Sequence, residues 1–395
     1  MGRSAQSKQG SSVSIPKIAV GCQGGGMHAA FEVGVLLEIL QDVARERLKL
    51  VGLSGTSAGA LNALMVWYGL AAKNGKAGSV SQAASMLTDF WDDFVAKTNP
   101  SRVVNFLTYS TFRAQETEIL GITPVGLALN PFSMISNAVT TWLPALGVRQ
   151  QYFDLTYLLE RTCPDFDSID WERVDTQLLI GASEVVNGLE TVFDSNVNKG
   201  TRDREVAYWR QRLRLTLDGV AASGTLPTMR KAQRIGGGYY WDGLYSQNPP
   251  VREFVAKADV DEVPDEIWIV RINPQQWPEV PQTMADIEDR QNELMGNLSL
   301  HQELDFIQTV NKWHEHYKDE KFGKDHKPVT VRTIKMKEKT ANELRYSSKF
   351  NRSLEFMREL RAEGQEVARE WLELWNRGEV GCYPEDAAYW PIATS

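Results

Sequence analysis

The stretch KLVGLSGTSAGALNAL, Lys49 to Leu64, leaves the backbone little choice. An apolar run of strand character, Lys49 to Thr56, passes without a spacer into an apolar run of helical character, Ser57 to Leu70. The junction, Gly55-Thr56-Ser57-Ala58-Gly59, is a G-x-S-x-G. A strand that becomes a helix over one residue crowds the positions two before and two after it, so Gly55 and Gly59 must lack bulk. This is the context of a nucleophile elbow, with the Ser57 hydroxyl presented above a sheet. Ala58, Gly59, Ala60 and Ala63 are small enough to let the helix lie close. The free N–H groups and positive potential of the helix start favour an oxyanion beside that hydroxyl.

Upstream, Lys17 to Cys22 reads as a buried strand and Met27 to Leu40 as a mostly buried helix, joined by GCQGGG. Strand, helix, strand, helix predicts parallel pairing in an α/β sheet. Three consecutive glycines at a strand-to-helix turn suit either a nucleotide phosphate or a reacting carbonyl oxygen. The phosphate reading fits poorly: the spacing is not G-x-G-x-x-G, a P-loop Lys-Ser/Thr is missing, and Ser54 and Gly55 stand where a dinucleotide site places its acidic residue. Gly24, Gly25 and Gly26 are therefore candidates for an oxyanion hole, because glycine lets the backbone approach closely and aim its N–H groups inward. One such donor is worth about 3–4 kcal/mol of barrier.

The nucleophile needs a base. The five histidines are His28, His301, His314, His316 and His326. His28 lies within the glycine segment, and the other four fall in the charged final third, where surface positions are expected. Asp242 is better placed: it ends the aromatic run Tyr239-Tyr240-Trp241 and precedes Gly243. The aromatic approach predicts a desolvated carboxylate with a raised pKa, a stronger base than an exposed Asp.

These three pieces together resemble the patatin-like phospholipases, lipid acyl hydrolases with a Ser-Asp dyad. The family pattern is G-G-G-x-Arg/Lys-Gly, then G-x-S-x-G, then Asp-Gly-Gly/Ala. The chain has Gly24-Gly25-Gly26-Met27-His28-Ala29, Gly55-Thr56-Ser57-Ala58-Gly59 and Asp242-Gly243-Leu244, and Ser223 to Pro227, SGTLP, is similar to the family's stretch before the dyad Asp. The resemblance spans about Ile18 to Pro250. It implies Ser57 as nucleophile, Asp242 as base, and N–H groups of Gly25 and Gly26, helped by Ala58, as oxyanion hole. It also implies a three-layer α/β/α sandwich with a mostly parallel central sheet, and no metal or organic cofactor. His28 and Ala29 depart from the basic residue and the Gly, which removes a permanent cation. Leu244 departs from Gly or Ala and narrows the space beside the base.

The rest of the chain fits around this frame. Residues 1–15 read as a flexible tail, 16–280 as the catalytic unit, and 281–395 as a mainly helical region packed on it. Within the unit, 98–150 breaks the α/β rhythm and reads as a cap. Its Ile122–Val148 segment carries no charge, yet Pro124, Pro131 and Pro144 argue against a membrane span. A strand pair is expected around Asn187-Gly188, a helix from Glu205 to Ala221, a late strand at VTVRTIKM, and an amphipathic helix through Leu354, Met357, Leu360, Val367, Trp371 and Leu374, stopped by Gly378. The net charge of −8 argues against nucleic acid as partner. Three cysteines, Cys22, Cys163 and Cys382, suit a reducing compartment, and the N-terminus lacks a secretory core. The expected setting is cytoplasmic, with peripheral contact to a membrane and a lipid or other acyl ester as substrate. Lys312, Lys321, Lys324, Lys327, Arg332, Lys335, Lys337 and Lys339 are expected to form a solvated face rather than a lipid-binding patch. Two rivals remain at this level: a Ser-His-Asp esterase using a late histidine, and a non-catalytic lipid-binding protein on the same fold.

Overall fold

The computed structural model describes residues 14–116, 155–200, 209–227, 231–257, 259–277 and 280–383. The tail, most of the 98–150 cap with its uncharged segment, and the last residues of the chain lie outside these.

A nine-stranded mixed sheet runs through the molecule. Its central strands are β1 (Lys17–Cys22), β2 (Lys49–Gly55) and β3 (Gln177–Glu184), with β8 (Glu266–Arg271) and β9 (Thr330–Lys335) on the other side of β1. All of these pair in parallel with their neighbours. Beyond β3 come β4 (Glu190–Asp194), which is antiparallel to it, and the edge strand β5 (Arg210–Arg214). A short hairpin, β6 (Gln233–Ile235) and β7 (Gly238–Asp242), adds antiparallel to the end of β3.

Strand β1 shows why the structure has three layers. Ile18, Val20 and Cys22 enter one apolar core and Ala19 enters another on the opposite face. The first core is filled by helices α1 (Ala30–Ala44), α2 (Ala58–Leu70) and α3 (Val80–Phe94). Helix α2 is buried from Ala58 to Gly69, as an apolar surface all round requires. Helix α4 (Asn99–Glu116) follows and α5 (Leu155–Thr162) resumes after the undescribed stretch. On the opposite face the long helix α7 (Met284–His316) contributes Leu300, Leu304 and Ile307. The last helix, α8 (Leu354–Asn376), returns to the first core with Met357, Leu360, Ala368 and Leu372. It lies on α1 at a crossing where Gly34 and Gly364 meet: a Cβ on Gly364 would stand 2.0 Å from the Phe31 carbonyl oxygen. Gly378, at φ +72°, donates its N–H to the Trp375 carbonyl at 2.9 Å and ends the helix as expected.

One expected helix is replaced in part by a strand. Within Glu205 to Ala221, residues 205–208 lie outside the described set. Residues 210–214 are strand β5, and a helix, α6 (Leu217–Ser223), begins only after the N-cap Thr216. The charges that disfavour an internal strand are tolerated at this sheet edge, where Arg214 is exposed and the other two arginines are paired. Arg212 pairs with buried Asp194, and Arg210 with Glu190, Glu253 and Glu303. Several of the late cations are likewise paired on the surface, Lys327 with Asp265, Arg332 with Glu266 and Lys337 with Glu366. Among the described residues no helix is long and apolar enough to cross a membrane.

Candidate active site

Strands β1 and β2 leave the sheet side by side, with Cys22 opposite Gly55. The glycine segment after β1 and Ser57 after β2 are therefore neighbours at the carboxyl ends of parallel strands, where α/β sheets place their ligands. Ser57 has φ +55° and ψ −126°. That is a strained conformation for a residue with a side chain, costing about 1–3 kcal/mol, and the packing around it must hold it there. A Cβ on Gly55 would stand 2.3 Å from the Gly59 carbonyl oxygen, and one on Gly59 2.4 Å from that of Cys22. Neither position admits a side chain.

The three glycines divide their tasks. Gly24 sits against the serine: a Cβ there would lie 2.9 Å from Ser57 Cβ. Its N–H is not free, however, because it donates to Asn248 Oδ1 at 2.5 Å, and its carbonyl accepts from Asn273 Nδ2 at 3.0 Å. Gly25 is pressed against Ile272, and Gly26 adopts φ +57°. Among the described residues, the N–H groups of Gly25, Gly26 and Ala58 enter no hydrogen bond; all three stand at helix starts, where no intrahelical acceptor exists. Of the four candidate amides, those of Gly24, Gly25, Gly26 and Ala58, the Gly24 amide alone is already engaged.

Asp242 ends β7, with Ala182 of β3 opposite it. The segment Ser223–Thr225 ties it to the serine: Ser57 donates its N–H to Ser223 Oγ at 2.9 Å, and Asp242 donates its N–H to the Thr225 carbonyl at 3.0 Å. The carboxylate is fully buried. Oδ1 accepts the Leu244 N–H at 2.9 Å, while Oδ2 has no partner of full hydrogen-bond geometry. Burial raises its pKa to about 7; the Leu244 amide, the Ser57 hydroxyl and the Lys349 ammonium each draw it back down. The serine hydroxyl thus faces the carboxylate in a loose contact, as unliganded sites commonly show. Leu244 is itself buried and packs toward α7, where a Cβ on Gly296 would stand 2.9 Å from its Cδ1.

His28 is buried, and its Nε2 lies 2.7 Å from Ser348 Oγ. That hydroxyl gives its one proton to the Arg345 carbonyl, so Nε2 is the donor. Burial, and then Lys349, push the imidazole pKa well below 6.5, so His28 is neutral and structural. Among the described residues no hydrogen bond joins any histidine to Ser57 or Asp242. His326 instead stacks on Phe322 and bonds to its carbonyl.

Three participants carried no local signal in the sequence. Asn248 holds Gly24, Ser223 holds the Ser57 amide, and Lys349 approaches from a part of the chain 292 positions from the nucleophile by number alone. Only the SGTLP resemblance pointed to the second. A cavity of about 210 Å³ is lined by Arg271, Ile272, Asn273 and Met336, and lies beside the glycine segment rather than on the dyad.

The family model Patatin-like phospholipase matches residues 22–255, more than half of the chain, and takes in the glycine segment, the elbow and Asp242. The chain belongs to the patatin-like phospholipase family, whose membership supports lipid acyl hydrolase activity. No curated protein matches the chain significantly. Among solved structures, the crystal structure of VipD from Legionella pneumophila covers 91% of this chain and 67% of its own, with a TM-score of 0.40 and 12% identity. That likeness is too distant to carry an argument about the site.

Proposed function

We propose that the chain is a serine acyl-ester hydrolase acting on lipids, of the phospholipase A or lysophospholipase type. Ser57 is the nucleophile and Asp242 the general base. In the first half-reaction the Asp242 carboxylate takes the hydroxyl proton as Ser57 Oγ attacks the ester carbonyl. The N–H groups of Gly25, Gly26 and Ala58 receive the tetrahedral oxyanion. That intermediate collapses, and the alcohol or lysolipid leaves with the proton held by Asp242. In the second half, water gives a proton to the same carboxylate as it attacks the acyl-serine; the second tetrahedral intermediate collapses as Asp242 returns that proton to Ser57 Oγ, and the fatty acid leaves. Gly24 supplies the space that lets the glycine turn sit beside the serine.

The observation that carries this reading is the pairing of a strained serine with a buried carboxylate whose pKa lies near neutrality. A base of that strength combines a large ionised fraction at pH 7 with enough affinity for the proton to take it from a hydroxyl. The test is a digest of a total lipid extract by the wild type and by Ser57→Ala, with products identified by mass. Fatty acid and lysolipid released by the wild type alone are expected. Equal release by both would end the proposal.

A further inference from the structure

Lys349 lies in the 3-10 turn Tyr346–Phe350, which packs over the glycine segment. A Cβ on Gly26 would stand 2.5 Å from the Lys349 carbonyl oxygen and 3.0 Å from its Cβ, so the lysine backbone rests on the glycine itself. The neighbouring Ser348 is anchored to His28 by the 2.7 Å bond already described. The side chain is partly buried, and its ammonium is near enough to Asp242 and His28 to shift both. Asp289 and Glu293 of α7 also face it. Yet no carboxylate of the described residues comes within ion-pairing distance of Nζ, which lies 3.5 Å from Asn292 Oδ1 and 5.7 Å from the centre of the Tyr346 ring. An ammonium taken out of water without an ion pair is costly, and a site that keeps one has a use for the charge.

Of the acids around it, buried Asp289 attracts the ammonium most but stands beyond ion-pairing distance. Glu293 is held by Trp277 and Arg290, at 2.5 and 3.0 Å, and its pKa is raised to about 7 by burial and by Asp289. Asp242 is committed to Leu244 and faces the serine. The position His28 occupies offers no charge, since the imidazole is neutral. The cation at the mouth of the oxyanion turn therefore comes from the C-terminal region.

We infer that Lys349 is the substrate-binding cation of this site: its ammonium receives the phosphate of an ester bound at Ser57, and so selects anionic phospholipids over uncharged esters. This rests on the proposed hydrolase reading and adds its substrate class. A compact ammonium binds phosphate as a point charge, and a guanidinium at the same place does so as a fork.

The experiment compares two esters with the same octanoyl chain, lysophosphatidylglycerol and monoacylglycerol, both below their micelle concentrations. Lys349→Met is expected to lower the ratio of kcat/KM for the phosphate ester to that for the uncharged ester about tenfold, mainly through KM. Lys349→Arg is expected to restore most of it. The ratio cancels any change in the Asp242 pKa, which acts on both substrates alike. An unchanged ratio would overturn the inference. A second arm needs no turnover: calorimetric binding of the lysophosphatidylglycerol to Ser57→Ala and to Ser57→Ala with Lys349→Met. About tenfold weaker binding by the double variant is expected, and equal binding would overturn the inference even if the chain hydrolyses neither ester. If Ser57→Ala leaves wild-type turnover intact, the hydrolase reading fails by itself, and the binding arm still decides the role of Lys349.

Discussion

Ser57 and Asp242 face opposite costs, and both are borne at neutral pH. The serine stores backbone strain, and the aspartate stores the expense of a buried charge. Its folded pKa of about 7 stands above the ordinary 3.8. Between those values the native state binds more protons than the unfolded one, so this group's contribution to stability falls as pH rises from about 4 to about 7 and stays lost above. By linkage the loss is on the order of 4 kcal/mol. Asp242→Asn is expected to abolish turnover while raising the melting temperature at pH 8 and leaving it nearly unchanged at pH 4; a lower melting temperature at pH 8 would contradict the buried-charge account. In the proposed mechanism Asp242 takes a proton only when ionised. The kcat/KM profile should therefore rise through an apparent pKa near 7, and a profile already flat from pH 5 would exclude Asp242 as base. The residues with assigned roles were legible because each carries a local backbone demand: no bulk at Gly55 and Gly59, and a turn at Asp242-Gly243. Asn248 and Lys349 make no such demand, and nothing adjacent to them in the chain marks them; Ser223 was marked only through the resemblance carried by SGTLP.

Among the elements, α1 and α8 are fixed against each other by small residues rather than by large ones. At the α1–α8 crossing, a Cβ on Gly34 would meet the Arg361 carbonyl oxygen at 2.1 Å, and one on Gly364 the Phe31 carbonyl oxygen at 2.0 Å. Backbone cannot yield there as a flexible side chain would. Gly364→Ala is expected to push the helices apart and cost about 1–3 kcal/mol, as overpacked interiors do. Chemical denaturation should show a lower midpoint, and an unchanged midpoint would mean that the crossing is less rigid than described. The same scale explains where periodicity misled. The helix α8 was legible from its apolar spacing, and the hairpin of β3 and β4 from Asn187-Gly188. Strand β5 was not, since RQRLR has no strand alternation of apolar residues. Its extended form depends on acids at 190, 194, 253 and 303, which its own sequence does not contain.

Across the whole molecule, Arg210 binds three regions into one. Its guanidinium, about 10% exposed, pairs with Glu190 of β4, Glu253 of the turn after Pro250 and Glu303 of α7. Arg210→Met would leave Glu253 without that cation and Glu303 with Arg252 alone. A loss of about 3–5 kcal/mol is expected, as when one partner of a buried pair is removed. Adding Glu253→Gln and Glu303→Gln should recover part of it in the same thermal melt; no recovery would show that the arginine acts through its packing. The sequence alone determined the parallel α/β frame, the elbow at Ser57, the glycine turn and the family, because each follows from steric rules that act over a few adjacent residues. Tertiary structure alone decided that Gly24 has no amide to spare, that burial carries the Asp242 pKa, expected to be raised, as far as about 7, and that a lysine from the far end of the chain stands over the glycines. Desolvation and charge act through space, and their strength is set by what folding brings near, whatever the order along the chain.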